Sequence, residues 1–232
     1  MPEVAIAALE PRLQKLVESA RLAFEQGRFA HAVETAGLVL AEQPSCLPVR
    51  KLRRAARLKL APDRGGLFGR LVGSVSNAPF ALGGSFQLKD QPRQAVASAD
   101  RILQRDPNNV AALALLGQAA LALGWNETAV HAFELARDHD PGRADLVLLH
   151  GQALLAAGRA GEAVQAAEEA LRRLPTNADA QTLLRHAAVA ATVTRGKWEA
   201  GGDYRAKLHD EQRAARLEQA ARLKADPPPP AP

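Results

Sequence analysis

The chain has 232 residues, enough for one extended domain or two small ones. Hydrophobic residues make up 47% of it and aromatic residues only 4%, and alanine, the best helix former, dominates the apolar set, which favours an all-α fold. The formal charge of +5 is local, because the segment from Arg50 to Arg70 has eight basic residues and one acid. A single cysteine, Cys46, excludes an intrachain disulfide, and no apolar run is long enough for a transmembrane helix.

The first helical pattern surrounds Gly27. Apolar residues at helical spacing lie on both sides of it, namely Leu16, Ala20, Ala23, Ala32, Ala36 and Leu40. Because glycine readily adopts the positive φ that ends a helix, we expect a helical hairpin with its turn at Gly27. Pro44 is expected to end the second helix.

Residues 47–60 predict an additional helix with two unlike faces. The apolar face consists of Val49, Leu52, Ala56 and Leu60. The other face is a basic patch of Arg50, Arg53, Arg54 and Arg57. Three interpretations of this patch stay open: a solvated helix face, a docking site for an acidic protein or nucleic acid, and an element that lies on an anionic membrane surface. The glycine-rich residues 61–75 predict a linker or insertion.

A fixed period follows the insertion. Pro107, Pro141 and Pro175 are equally spaced, and each is preceded by the same order of small and large residues. This order comprises Leu82, Gly83, Phe86, Ala95, Ala99 and Ile102 in the first unit, Leu113, Leu116, Gly117, Ala120, Ala129, Phe133 and Ala136 in the second, and Val147, His150, Gly151, Leu154, Ala163, Ala167 and Ala170 in the third. We expect Gly117 and Gly151 where two helices approach closely, and Gly124 and Gly158 at turns.

This pattern and its interval resemble the tetratricopeptide repeat, a helix–turn–helix of about 34 residues with a closing proline. The resemblance implies an all-α, right-handed solenoid of about four helical hairpins, with an insertion after the first hairpin and a helical tail at the C-terminal end. The expected divisions are 1–60, a hairpin with the basic helix; 61–75, the insertion; 76–194, three repeats with a capping helix; and 195–232, a charged helix with a proline-rich, disordered end. The tail is similar to tails of uncharacterised bacterial repeat proteins.

Residue patterns that would support catalysis are not found. His131 and His139 lie near Asp138 and Asp140, which we interpret as a solvated helix end rather than a metal cluster. His150 is expected to be a satisfied core or boundary histidine. The glycines at 65–73 lack the Gly-Lys-Ser/Thr ending of a phosphate-binding loop. We therefore predict a protein that is not an enzyme and has no cofactor or metal.

The resemblance implies a function in protein binding, through the first helices of the hairpins, which line the concave face of such solenoids. The predicted groove residues are Gln118, Leu121, Leu148, Gln152 and Leu155. They suit a helical or extended apolar segment of a partner, although the leucines also suit packing between repeats. Related domains that bind chaperone tails carry a basic carboxylate clamp on these helices. Only Arg21 is basic at the matching positions, so chaperone-tail binding is not expected.

The alternative function is that of a peripheral adaptor whose basic segment 50–75 binds an anionic membrane surface or nucleic acid. A helix predicted at 206–225 offers two further arrangements, since it could dock into the groove of its own chain or form a homodimer. No secretory signal is recognised at the start of the sequence, so a cytoplasmic location is expected.

Overall fold

The computed structural model describes residues 3–60 and 91–200, with side chains described up to residue 194. A 3-10 turn, Ile6–Ala8, precedes nine α-helices within these ranges. The helices are α1 (Pro11–Glu25), α2 (Phe29–Glu42), α3 (Leu47–Leu60), α4 (Pro92–Leu103), α5 (Val110–Ala122), α6 (Asn126–His139), α7 (Ala144–Ala156), α8 (Ala160–Arg173) and α9 (Ala178–Ala200). No strand occurs in the described ranges, and the all-α prediction is confirmed.

The helices pack in chain order as hairpins. Helix α1 packs on α2 and α2 on α3, and each helix from α4 to α7 packs on the one that follows it. Helices two apart also meet, since α5 contacts α7 and α1 contacts α3. The predicted first helix of the 76–107 repeat lies outside the described residues.

Glycine turns connect the two helices of three described hairpins. Gly27, Gly124 and Gly158 have φ values of +73°, +73° and +78° and follow α1, α5 and α7. Only glycine adopts this left-handed conformation without steric cost, and the conformation reverses the chain within a short turn. The three turns predicted from the sequence are therefore confirmed.

Small residues let the two helices of a hairpin approach each other. A Cβ atom at Gly117 on α5 would lie 2.7 Å from the ring of Phe133 on α6, which is fully buried. At Gly151 on α7 it would lie 3.1 Å from Cβ of Ala166 on α8 and 2.7 Å from Leu183 on α9. Both glycines occupy close approaches, as the sequence predicts.

The second helices end just before the prolines of the repeat. Helices α2, α6 and α8 end at Glu42, His139 and Arg173, shortly before Pro44, Pro141 and Pro175. Proline lacks the backbone N–H that would continue the helix, and it restricts the residue before it to extended conformations. Helix α4 ends somewhat earlier relative to its proline, at Leu103.

The apolar core is divided between two groups of helices. In the first group, α1–α3 bury a cluster that consists of Leu9, Leu13, Val17, Ala20, Ala36, Val39, Leu40, Cys46 and Val49. In the second group, α4–α8 bury a larger cluster around Trp125 and Phe133, which Ala187 of α9 joins. Side chains of α3 and of the N-terminal segment connect the two groups.

The chain forms two compact units, one up to Ala188 and one from Val189 onward. The described part of the second unit is the end of α9, where Val189 and Val193 are 65% and 50% exposed. The predicted helix at 206–225 and the proline-rich end lie outside the described residues, as do residues 61–75. No helix in the described ranges is long and apolar enough to cross a membrane.

Candidate functional site

The five predicted groove residues lie on two neighbouring helices. Gln118 and Leu121 are on α5, and Leu148, Gln152 and Leu155 are on α7. The pairs Gln118/Gln152 and Leu121/Leu155 are each separated by one repeat period, so they occupy equivalent positions of successive repeats. The helices α5 and α7 that carry these residues contact each other directly.

All five side chains are half-buried. Leu121 and Leu155 pack against the core cluster of the second helix group. Leu148 packs against a smaller cluster formed by Val147, Ala170 and Ala180. Each leucine therefore packs between helices and also presents part of its surface to solvent. The packing interpretation is confirmed, and the groove interpretation stays a prediction.

The two glutamines have unused hydrogen-bonding groups. Neither Gln118 nor Gln152 makes a side-chain hydrogen bond within the described residues. Each side-chain amide offers two donors and one acceptor, the groups that pair with a peptide backbone. The site thus combines apolar contact surface with amides placed one repeat apart.

His150 is on α7 and is a core residue, as expected. It is 7% exposed, and Nη1 of Arg137 lies 3.3 Å from its Nδ1 atom. Burial, with the nearby Arg137 charge, lowers the pKa of His150. A guanidinium can only donate, so Nδ1 accepts this hydrogen bond and the proton of the neutral ring is on Nε2.

The basic patch of α3 is turned toward the protein. Arg50 is 6% exposed and pairs with Asp100 of α4, and its Nη2 donates to the carbonyl oxygen of Pro44 at 2.9 Å. Arg53 donates to the same Asp100 carboxylate at 3.0 Å, with its side chain 11% exposed. The interpretation of a solvated helix face is therefore wrong for these two arginines, because a carboxylate from a distant part of the chain pairs with them.

The other two arginines of the patch differ from each other. Arg54 donates to the carbonyl oxygen of Pro107, to Oδ1 of Asn108 at 2.8 Å and to Nε2 of His139 at 3.3 Å. Burial, then the Arg54 charge, lowers the pKa of His139, which keeps its ring a neutral acceptor. Arg57 is half-buried and has no hydrogen-bond or ion-pair partner among the described residues.

Two carboxylates that organise these contacts were not recognised from the sequence. Asp100 joins α4 to α3, and Glu3 caps the start of α6 by accepting from the backbone N–H groups of Glu127 at 3.0 Å and Thr128 at 2.6 Å. The one available signal was the lack of a capping residue before α6, where Trp125 makes no side-chain cap. Nothing in the sequence around the start of α6 indicates that the distant Glu3 provides the cap.

The two histidines weighed as metal ligands have other neighbours. His131 lies 3.7 Å from Glu134 on the same helix, and His139 contacts Arg54. Among residues 3–60 and 91–194, no three side chains of the kinds that bind metals come together.

Comparisons with known proteins give structural neighbours only, since no family model and no curated protein sequence matches the chain. One neighbour is the complex of the TPR2AB domain of yeast Sti1 with pHSP90, at 15% identity and a TM-score of 0.43, covering 76% of this chain and 69% of that one. A second is MamA of MSR-1, at 15% identity and a TM-score of 0.40, covering 91% and 99%. A third is TTC0263, a thermophilic TPR protein of Thermus thermophilus, at 18% identity and a TM-score of 0.37, covering 88% and 99%. The structural neighbours are thus tetratricopeptide-repeat proteins at low sequence identity.

Proposed function

We propose that this chain is a non-catalytic protein-interaction scaffold that binds an extended apolar segment of another protein across α5 and α7. The observation that carries the proposal is the repeated pair of one glutamine and one leucine on these adjoining helices. The glutamine amides pair with the backbone of the segment, while Leu121 and Leu155 contact its apolar side chains.

Repeat spacing supports an extended rather than a helical occupant. Packed helices lie about 8–10 Å apart, and an extended chain rises about 3.3 Å per residue. Gln118 and Gln152 would therefore meet backbone groups about three residues apart. A helical segment has its backbone groups paired internally and leaves the two amides without partners.

The contacts of the α3 arginines argue against the alternative function, a peripheral adaptor that binds an anionic membrane surface or nucleic acid. Arg50 and Arg53 pair with Asp100 instead of facing an external anionic surface. The rest of that basic segment, residues 61–75, lies outside the described residues. The segment proposed to dock into its own groove, 206–225, also lies outside them, so the test below uses the full chain.

The proposal is tested with peptides selected from a random peptide display library on the full-length protein. Affinity for a selected peptide is then measured by fluorescence anisotropy for Leu121→Glu, Leu155→Glu and the double variant Gln118→Ala/Gln152→Ala. We expect each leucine variant to weaken binding at least tenfold, because a carboxylate replaces the apolar contact surface, and the double glutamine variant to weaken it several-fold.

Leu38→Glu is the matched control, since Leu38 is 55% exposed on α2 and the substitution introduces the same charge. Circular dichroism establishes that each variant keeps its helices. If folded Leu121→Glu and Leu155→Glu bind the selected peptides as the control does, or if no peptide is enriched, the groove proposal is wrong.

A further inference from the structure

The arginines of α3 line a small, partly open cavity. Arg50, Arg53, Arg54 and Arg57 meet side chains of α4, α5 and α6 around a space of about 50 Å³. A water molecule occupies about 10–15 Å³ on this measure, so the cavity has room for roughly four waters, which is about the size of one phosphate group. Leu113, Leu116 and Leu135 close the apolar side.

The charges around this cavity do not balance. Four guanidinium groups face it and one lining carboxylate, that of Asp100, gives 4 − 1 = +3. Buried positive charge is unfavourable without a counter-charge. Asp106 lies outside the lining but close enough to Arg54 to offset one of these positive charges, whereas Glu3 accepts from Thr128. The remaining excess is 4 − 1 − 1 = +2, so the cavity is short of about two negative charges.

Two of the arginines that line the cavity have a guanidinium donor without a hydrogen-bond partner among the described residues. The Nε atoms of Arg50 and Arg57 are buried and have no hydrogen-bond partner among the described residues. The Arg50 side chain is 7% exposed, so water outside the protein does not compensate for the missing partner. A buried donor without an acceptor is rare in folded proteins, and it points to a position suited to a water or an ion.

The uncharged polar groups of the lining are compatible with an oxyanion. Gln104 offers a side-chain amide donor. Burial, then the charge of Lys51, lowers the pKa of His131, so its ring is neutral at pH 8 and can donate one N–H.

An open cleft of about 430 Å³ adjoins the cavity. The cleft shares Arg53, Arg57 and Gln104 with the cavity, and its remaining walls are Ala30, Val33, Glu34, Gly37 and Leu60. A ligand could therefore place an anionic group among the arginines while its organic part contacts the side chains of α2.

We propose that the α3 arginine cavity binds a phosphate group, either as inorganic phosphate or as the terminal group of a small phosphate monoester. Phosphate carries close to two negative charges at pH 8, near the number that the cavity lacks, and its oxygens accept paired hydrogen bonds from guanidinium groups. A carboxylate carries a single negative charge and would leave more of the cavity's positive charge uncompensated.

The test is calorimetric titration of the full-length protein at pH 8 and constant ionic strength with inorganic phosphate and with phenyl phosphate, and with acetate for comparison. Thermal unfolding is followed in the same solutions. We expect both phosphates to bind and to raise the Tm, with acetate at least tenfold weaker. Tighter binding of phenyl phosphate than of inorganic phosphate would identify the monoester as the ligand class, and equal or weaker binding would identify free phosphate.

Two variants separate a specific site from general attraction to a basic protein. Arg57→Gln removes a guanidinium that has no partner among the described residues, and Lys59→Gln removes the same charge from an exposed position of the same helix. We expect Arg57→Gln to keep the Tm of the phosphate-free protein or to raise it, and to weaken phosphate binding at least tenfold, with Lys59→Gln close to wild type. The absence of phosphate binding at millimolar concentration, or an equal loss in both variants, would overturn the proposal.

Discussion

Two glycines in helix interiors have opposite surroundings. Gly117 on α5 faces the buried ring of Phe133, which leaves no space for a side chain. Gly37 on α2 has no atom within 4 Å of the position that a Cβ would occupy. The first glycine is required by packing between two helices, whereas the second only lowers the helix propensity of α2.

The substitution of each glycine by alanine should therefore change stability in opposite directions. Gly117→Ala places a methyl group 2.7 Å from the Phe133 ring and is expected to lower the free energy of unfolding by about 1–3 kcal/mol, as overpacking does. Gly37→Ala is expected to raise it by up to about 1 kcal/mol, because alanine favours the helix. Urea denaturation followed by circular dichroism measures both, and stabilisation by Gly117→Ala would contradict the close approach.

At the scale of whole helices, the starts of the helices are stabilised in two different ways. Helix α5 begins after Asn109, whose side chain accepts from the N–H of Ala112 at 3.0 Å. Asn177 does the same for Ala180 at the start of α9. Helix α6 is capped instead by Glu3, a carboxylate far away in the sequence, so this cap also ties the N-terminal segment to the second helix group.

Removal of this remote cap should destabilise the protein measurably. Glu3→Ala leaves the N–H groups of Glu127 and Thr128 without their acceptor, and we expect a loss of about 1 kcal/mol in the free energy of unfolding. Glu10→Ala is the control, since Glu10 precedes α1 and makes no side-chain cap. Equal urea midpoints for the two variants would show that Glu3 does not stabilise α6.

At the scale of the molecule up to Ala188, polar contacts connect two groups of helices that have separate apolar cores. Asp100 is central to this connection because Arg50 and Arg53 both pair with it, and all three side chains are at most 16% exposed. A buried ion pair of this kind adds little to the stability of the protein compared with apolar residues in the same place. Removal of only one partner is strongly destabilising, because the other charge is left buried and unpaired.

Asp100→Ala should therefore weaken the connection between α1–α3 and α4–α8. We expect a loss of about 3 kcal/mol in the free energy of unfolding and faster hydrogen exchange throughout α1–α3. Asp145→Ala removes an exposed partner of Arg143 and should cost under about 1 kcal/mol. If exchange in α1–α3 is unchanged in Asp100→Ala, the arginine contacts do not hold the two groups together.

The repeating features were predictable because they depend on residues close together in sequence. Gly27, Gly124 and Gly158 end helices through their own φ preference, and the prolines act on the helix that precedes them. The constant repeat period also places Gln118 and Gln152 at equivalent positions of α5 and α7, but that these residues line a groove is still a prediction. Their contact with a partner remains a prediction.

Within the described residues, the sequence by itself determined the helical hairpins, their turns and their order of packing, since each follows from local propensity and a fixed period. The end of the capping helix was placed too early, because α9 continues past the predicted boundary at residue 194 to Ala200. The tertiary structure alone decided what the arginines of α3 do. An amphipathic pattern shows that Arg50 and Arg53 share a helix face, but it cannot show whether that face meets solvent or Asp100. The physical reason is that a buried charge needs an opposite charge beside it, because an unpaired buried charge is energetically costly. That partner lies far away in the sequence, so only the folded chain shows which residue it is.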